Sequence, residues 1–482
     1  MEEQRNRLLP ALVILLIIII AIPVYQLSKP DEDDDHTETI DEEEIIPELY
    51  DYGAGGEEEK NIEIFAGSER INEHTITSEP NDPNHLVAGA NDYNSGTSGY
   101  AWVGYYSSED GGGTWDNDYI PGYPGDTRPS VLSGYYGAGD PVLASSASDN
   151  MVYMAGIGIF RPGPAASSIW VARSSDGGAT FDPEDVFLVA EGYGIERFHD
   201  KEWIAVDQES GIIYVSWTTF VAGAQTAHIV VSFSRDQGVT WSPYVIVSEV
   251  LYQEWGPQGS QIIVDSEGDV HIAWIDYTDS ELRMAHSYNQ GLSFTGHETI
   301  CDVEYVWEIS NAAYRTPTMA SMAIDRSGGD NHDRLFITWH DNRTGNTDAL
   351  MVYGDEGGTA WSEIIRVNND NTTAAQFYPA VAVSPEGYVH VFFYDRRLDI
   401  NDTALDVFYA LSTDGGENFT VNIRATTIST DPGGEEFIGD YNGAWATENE
   451  TYGVWCDLRT EGNSGDLWFA KFTWDSEDDL AD

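Results

Sequence analysis

The sequence predicts an all-β fold, a seven-bladed β-propeller of four-stranded antiparallel blades, and three observations support this prediction. A short turn motif recurs along the chain at intervals of about 60 residues, the length of one blade. Upstream of each copy, apolar and polar residues alternate in a strand that ends in an aromatic residue. Counting these strands gives seven units, one more than the copies of the motif, and a six-bladed ring is the alternative.

The turn motif reads Ser-x-Asp-x-Gly-x-Thr-Trp, as in the copy that runs from Ser108 to Trp115. The acidic or amide position of the five clear copies holds Asp110, Asp176, Asp236, Asn289 and Asp414. A short Asp side chain can accept hydrogen bonds from nearby backbone amides, and Gly supplies a positive φ without steric cost. We therefore interpret these residues as turn-forming rather than catalytic or calcium-binding, because the repeat alone explains them.

The last predicted blade contains only three strands of its own, near residues 443–447, 451–456 and 467–472. Residues 61–66 alternate in the same way and lie before the first blade. We expect this segment to supply the missing outer strand, because such pairing closes the ring and removes an exposed edge.

The N-terminal region is predicted to anchor the propeller in a membrane. Residues 8–27 form one apolar run without a charge, long enough to cross a bilayer as a single helix. Arg5 and Arg7 precede it, so residues 1–7 are expected in the cytoplasm and the propeller outside the cell. Residues 28–60 are expected to form an acidic, disordered tether, residues 61–473 the propeller, and residues 474–482 an acidic tail.

The charge of the chain excludes several partners. It carries 83 acidic against 22 basic residues, a net charge of −61, and such a surface repels nucleic acid and anionic lipid. The same excess of acid indicates adaptation to salt, where counterions screen the self-repulsion. Cys301 and Cys456 lie in repeats that should not be neighbours, so no disulfide is expected.

The turn motif resembles the Asp-box, or bacterial neuraminidase repeat, of sialidases and related β-propellers. In that family the box joins the third and fourth strands of a blade, away from the face that binds ligand. The resemblance implies a site with three arginines for a substrate carboxylate, a Tyr nucleophile paired with Glu, and an Asp acid/base. The sequence contains no helix-borne metal motif and no phosphate loop, so no metal and no cofactor are predicted.

Arginines concentrate in the loops that should lie opposite the boxes. Arg343, Arg397 and Arg459 each follow an Asp by two residues, just after the aromatic that ends the second strand. Arg161 lies in a similar loop of blade two, and Arg315 leads into blade five. A planar guanidinium binds carboxylate in a bidentate manner, so these residues are candidate substrate-binding groups. The structural alternative is that these Asp and Arg residues form salt bridges between blades and hold the loops.

Catalytic candidates lie in the segments that lead into the blades. Tyr378 and Tyr441 are candidate nucleophiles, and Arg315, Arg397 and Arg459 are expected to converge near them. Asp200 and Glu202 are candidate acid–base groups, with a solvated loop as the alternative. The Phe/Tyr-Arg-Ile-Pro motif of sialidases is incomplete here, because residues 160–162 lack the Ile and fall in blade two.

The sequence thus predicts a membrane-anchored, extracellular, sialidase-like propeller. The first functional hypothesis is that the protein is a glycoside hydrolase acting on acidic glycans. The alternatives are a non-catalytic propeller that binds glycans or cell-surface proteins, and a structural component of the cell envelope.

Overall fold

The computed structural model describes residues 61–95, 99–159, 165–193, 197–222, 224–248, 256–355, 357–420, 422–435, 437–460 and 465–473. These residues form seven antiparallel sheets, each with four strand positions. The seven-bladed prediction is therefore confirmed, and the six-bladed alternative is wrong.

The strands follow one another from the inner to the outer edge of each blade. Blade one contains β2 (Ile71–Glu79), β3 (Asp82–Asp92), β4 (Trp102–Ser108) and β5 (Asp116–Tyr119). Blade two contains β6 (Gly137–Ser146), β7 (Met151–Ile159), β8 (Ala165–Ser174) and β9 (Val186–Tyr193). Blade three contains β10 (Phe198–Val206), β11 (Ile213–Val221), β12 (Thr226–Ser234) and β13 (Val245–Ile246). Blade four contains β14 (Pro257–Val264), β15 (Val270–Asp276), β16 (Glu281–Ser287) and β17 (Glu298–Asp302).

Blade five contains β18 (Ser321–Ile324), β19 (Leu335–Asp341) and β20 (Asp348–Asp355), and its fourth position holds two short strands, β21 (Ala360–Trp361) and β22 (Ile365–Arg366). Blade six contains β23 (Gln376–Val383), β24 (Val389–Asp395), β25 (Asp406–Ser412) and β26 (Ile423–Arg424). Blade seven contains β27 (Gly443–Ala446), β28 (Glu450–Asp457) and β29 (Asp466–Thr473). Two single-turn 3₁₀ helices, Tyr93–Ser95 and Pro183–Asp185, are the helical elements of the described ranges.

The N-terminal strand β1 (Ile62–Phe65) closes the ring. It pairs antiparallel with β29 and takes the outer position of blade seven, so the predicted closure is confirmed. Ile64 is buried there among residues of blades one and seven, including Tyr106 and Phe469. Pairing residues from the two ends of the propeller leaves β29 without an exposed edge.

The core lies between neighbouring blades and is centred on the aromatic residues of the second strands. The second strands of blades three, four, five and seven each carry an indole that is almost completely buried, namely Trp217, Trp274, Trp339 and Trp455. Each of these large side chains fills the wedge between two twisted sheets.

The boxes close the turns between third and fourth strands. In the first box the Ser108 hydroxyl donates to Asp110 Oδ1 at 2.9 Å and accepts from the Gly112 amide at 2.9 Å. Asp110 also accepts from the amide and the hydroxyl of Thr114, both at 2.8 Å. The boxes of Asp176, Asp236, Asn289 and Asp414 repeat this arrangement. The acidic side chain is thus used within its own turn.

Replacing Asp236 with Ala is expected to lower the free energy of unfolding by about 1–2 kcal/mol, because the Thr240 amide and hydroxyl lose their acceptor. Denaturant unfolding at fixed salt measures the loss. Asp236→Asn should recover part of it, since Asn289 occupies the same position in another box. An unchanged stability in Asp236→Ala would contradict the structural role.

The predicted anchor, tether and tail lie outside the described residues. Within the described ranges, neither helix has the length and apolar character needed to cross a bilayer. Cys301 and Cys456 are both free thiols.

Candidate functional site

The innermost strands of five blades carry a bulge near the mouth of the central channel. At this bulge the pairing with the second strand skips residues in β2, β6, β10, β14 and β23. One residue in each bulge has a positive φ between 50° and 64°, namely Glu73, Asp140, Lys201, Gly259 and Tyr378. Four of them are not glycine, and a non-glycine residue in this region costs about 1–2 kcal/mol. Strain repeated in this way indicates a functional constraint on the channel.

The same position can be identified in all seven blades. In the five bulged strands it lies two residues before the inner-strand residue at which pairing with the second strand resumes. In blades five and seven, Met319 and Tyr441 lie two residues before the first paired residue of the inner strand. We call these seven positions the channel ring: Glu73, Asp140, Lys201, Gly259, Met319, Tyr378 and Tyr441. Six of the seven, all except Glu73, line a single cavity.

A network of ion pairs joins three sides of the ring. The Lys201 ammonium lies 2.7 Å from Glu73 Oε1, 2.7 Å from Asp440 Oδ2 and 3.2 Å from Asp140 Oδ2. Arg315 donates to both oxygens of Asp440, at 2.8 and 2.7 Å. All three carboxylates are buried, so the two cations supply the compensation that buried charges require.

This network separates the carboxyl groups into two protonation states. Burial opposes the ionisation of Asp440, but the charges of Arg315 and Lys201 outweigh it and hold its pKa below the ordinary value. Burial likewise opposes the ionisation of Asp140, and Lys201 nevertheless lowers its pKa. Burial, followed by the charge of Asp140, raises the pKa of Glu73 well above its usual range.

Two further carboxyl groups beside the ring favour the protonated form. Glu202 is only 2% exposed and lines the cavity, and neither of its carboxyl oxygens has a hydrogen-bond partner in the described part of the chain. Burial and the charge of Asp140 raise its pKa well above the ordinary value. Burial and the same charge raise the pKa of Asp200 to about 7. A protonated Glu202 and an ionised Asp140 therefore line one cavity.

The tyrosine candidates lie in the ring but donate to backbone carbonyl groups. The Tyr378 hydroxyl donates to the Arg315 carbonyl at 3.0 Å, and the Tyr441 hydroxyl donates to the Pro141 carbonyl at 3.2 Å. Burial raises the pKa of both phenols. Within the described residues, neither hydroxyl donates to a carboxylate. These contacts therefore do not form the Tyr–Glu pair that the sialidase resemblance implies.

The arginine candidates have separate partners. Arg343, Arg397 and Arg459 each form an ion pair at 2.6 Å with the Asp two residues earlier. Arg397 also donates to Asn422, before outer strand β26, and Arg459 to Asn61, before outer strand β1. Arg315 alone among these four reaches the ring network, through Asp440. Arg161 lies outside the described residues.

Several groups of the site were not singled out from sequence. Glu73, Asp140, Lys201 and Asp440 are not among the candidates identified above. Aligning the second strands of the blades and counting back along the inner strand would have found the ring positions. Within the described residues, no group of three or more His, Cys, Asp or Glu is arranged to hold a metal ion.

Stability should fall as the pH rises from about 4 to about 7, because the partly buried Asp200 keeps its proton in the folded state over this range while the unfolded chain loses it. Its pKa is raised on folding, so its stabilising contribution is complete below the unfolded pKa and is lost above the folded one. Glu73 and Glu202 act with the same sign. Denaturant unfolding between pH 5 and 9 should show a shallower decline for Asp200→Asn than for the wild type, with Glu109→Gln, at an exposed position, as the control. Equal slopes in all three proteins would contradict this assignment.

Residues 261–438 match the model of a BNR repeat-containing family member, so the resemblance predicted from the boxes is confirmed. No curated protein matches the chain.

Solved structures that resemble the chain include glycosidases of low sequence identity. The Hadza microbial sialidase Hz136 is 14% identical, with 81% of this chain and 73% of that chain covered and a TM-score of 0.45. A mutant of the NanB sialidase from Streptococcus pneumoniae is 12% identical, with coverages of 85% and 70% and a TM-score of 0.41. The GH93 α-L-arabinofuranosidase of Fusarium graminearum in complex with arabinobiose is 12% identical, with coverages of 86% and 97% and a TM-score of 0.46.

Proposed function

We propose that the protein is a glycoside hydrolase whose active site is the cavity inside the channel ring. One observation carries the proposal: Glu202, buried and without a hydrogen-bond partner in the described residues, lines the same cavity as the ionised Asp140. Cleavage of a glycosidic bond needs one carboxyl group to protonate the leaving oxygen and a second, ionised one to activate water or attack the sugar. Environments that move two carboxyl pKa values apart provide this division of roles.

In this mechanism Glu202 is the general acid, since the O–H of its protonated carboxyl group has no acceptor in the described residues and can donate to a glycosidic oxygen. Asp140 is the ionised group on the other side of the reacting bond. Lys201 keeps Asp140 ionised, and Asp440 balances the positive charge of Lys201 and Arg315. The side chain of Arg315 is 39% exposed, so it is the cation that would meet the carboxylate of an acidic sugar.

Turnover of aryl glycosides tests this proposal. The full-length protein in detergent would be assayed with arabinofuranoside, sialoside and uronide derivatives of 4-methylumbelliferone over a range of salt concentrations. Glu202→Gln and Asp140→Asn should each lower kcat/KM by about 100-fold or more, the usual contribution of a positioned acid or base. Glu109→Gln, at an exposed position, is the matched control and should retain activity. Activity that survives in both cavity variants would contradict the proposal, as would the absence of turnover on every substrate.

A non-catalytic binding propeller is the second candidate function. It is favoured by the ion pairs that neutralise Arg343, Arg397 and Arg459 and by the backbone acceptors of both tyrosine hydroxyls. A glycan array probed with the full-length protein separates the two candidates. Binding that persists in Glu202→Gln, without turnover in the wild type, would favour the binding function.

The proposed location is the outer surface of a cell membrane, with residues 8–27 as a single-pass anchor and the propeller outside. The uncharged run and the arginines before it support this proposal. Alkaline extraction of membranes should leave the full-length protein in the pellet and release a variant without residues 8–27. Release of both proteins would contradict the anchor.

A further inference from the structure

The channel ring has one position without a side chain. Six of its members carry side chains, whereas blade four contributes Gly259, with a φ of 64°. The cavity continues past this glycine to Ser260 and Gln261 of blade four and to Met319, Ala320 and Ser321 of blade five. The cavity therefore extends into the sector of the ring where a side chain is missing.

The backbone of the bulge does not require glycine. Glu73, Asp140, Lys201 and Tyr378 occupy the equivalent bulges of other blades with φ values of 50° to 56°. Acidic, basic and aromatic residues are thus compatible with this backbone. Glycine in blade four is distinguished by the space that it leaves.

Space around Gly259 is sufficient for a side chain to begin. A Cβ atom at this position would lie 3.4 Å from Met319 Sδ and 3.5 Å from Met319 Cγ, which is ordinary van der Waals contact with a flexible side chain. A longer side chain would continue into the volume that Gly259 and Met319 now line. A large residue would consequently fill the cavity without a clash against the backbone at its first atom.

We propose that Gly259 determines ligand specificity by opening a pocket between blades four and five for a hydroxyl-bearing substituent of a sugar. This inference rests on the proposed function, because it places the sugar beside Glu202. The buried Glu202 carboxyl is a hydrogen-bonding group of the cavity without a partner in the described residues, and it can exchange a hydrogen bond with a sugar hydroxyl. The ring residues of blades three, five, six and seven, Lys201, Met319, Tyr378 and Tyr441, form the remaining walls.

Binding of simple sugars to matched variants tests this inference independently of turnover. The full-length wild type, Gly259→Tyr and Gly268→Asn would be titrated with L-arabinose, D-galactose and D-glucuronate and followed by saturation-transfer NMR. Gly259→Tyr copies the residue that blade six carries at the same bulge. Gly268→Asn is the control, because it places a side chain at another positive φ of blade four, in the turn between β14 and β15.

The wild type and Gly268→Asn should bind at least one of the three sugars with similar affinity, and Gly259→Tyr should lose at least ten-fold in affinity while unfolding cooperatively. If Gly259→Tyr does not fold, Gly259→Ala should show a smaller loss in the same direction. Unchanged affinity in a folded Gly259→Tyr, or no binding of any of the three sugars to the wild type, would overturn the inference. Binding that depends on Gly259 without turnover of any aryl glycoside would overturn the hydrolase and leave the pocket standing.

Discussion

Replacing Lys201 with methionine is expected to lower the free energy of unfolding by about 3–5 kcal/mol, the usual cost of removing one partner from a buried ion network. The ammonium contacts Glu73, Asp140 and Asp440, so its loss leaves three carboxyl groups in a poorly solvated channel with Arg315 as the remaining cation. Denaturant unfolding of the full-length protein at fixed pH and salt measures the change.

Lys471 supplies the matched control. Its ammonium forms a 3.1 Å pair with Glu450 at a position that is 33% exposed. Lys471→Met should cost no more than about 1 kcal/mol, as is usual for surface pairs. Adding Asp140→Asn to Lys201→Met should recover part of the loss, because the second substitution removes one uncompensated carboxylate. Similar costs for Lys201→Met and Lys471→Met would show that the ring network does not stabilise the propeller.

Deleting residues 61–66 is expected to destabilise the propeller and to promote association between copies. The deletion removes β1 from blade seven and exposes the hydrogen-bonding edge of β29. It also removes Ile64 from the core between blades one and seven, and truncation of one such buried Ile to Ala typically costs about 2–5 kcal/mol. Unfolding and light scattering measure stability and association.

A deletion of similar kind outside the propeller is the control for the closing strand. Removing residues 28–60 should leave the unfolding midpoint of the propeller unchanged, because blade seven keeps all four strands. Ile64→Ala should reproduce a share of the loss without exposing an edge. If the deletion of 61–66 neither lowers the midpoint nor changes the scattering, the closure is not a source of stability.

The number of blades and the closure of the ring could be predicted because both depend on periodic signals. Strand alternation recurs once per blade, and the leftover strand at residues 61–66 matched a blade that lacked one. The box turn could be predicted for a related reason, since its hydrogen bonds join residues no more than four apart. Local chemistry leaves a local pattern in the sequence.

The site could be predicted only in part because its contacts are distant in sequence. Lys201 meets Glu73 across 128 positions, and Arg315 meets Asp440 across 125. Alternation does not mark a bulge, so the positive φ of Asp140 or Tyr378 leaves no pattern along its own strand. Residues near the channel mouth were identified, whereas the groups that pair with them were not.

The arginine loops show why residue type alone was ambiguous. Asp341 and Arg343 satisfy each other within one loop, and the same is true of Asp395 with Arg397 and Asp457 with Arg459. Sequence spacing placed these groups on the expected loops, but residue type alone does not show whether an arginine is paired within its own loop or, like Arg315, with a carboxylate beside the ring.

The central claim is that one residue from each of six blades lines a cavity in which a sugar meets Glu202. A crystal structure of the full-length protein, grown with whichever of L-arabinose, D-galactose or D-glucuronate binds most tightly, tests this claim most directly. The sugar is expected between Gly259 and Tyr378, with one of its oxygen atoms within hydrogen-bond distance of the Glu202 carboxyl. A sugar bound only on the outer strands or on the box turns, with the cavity holding solvent, would contradict it.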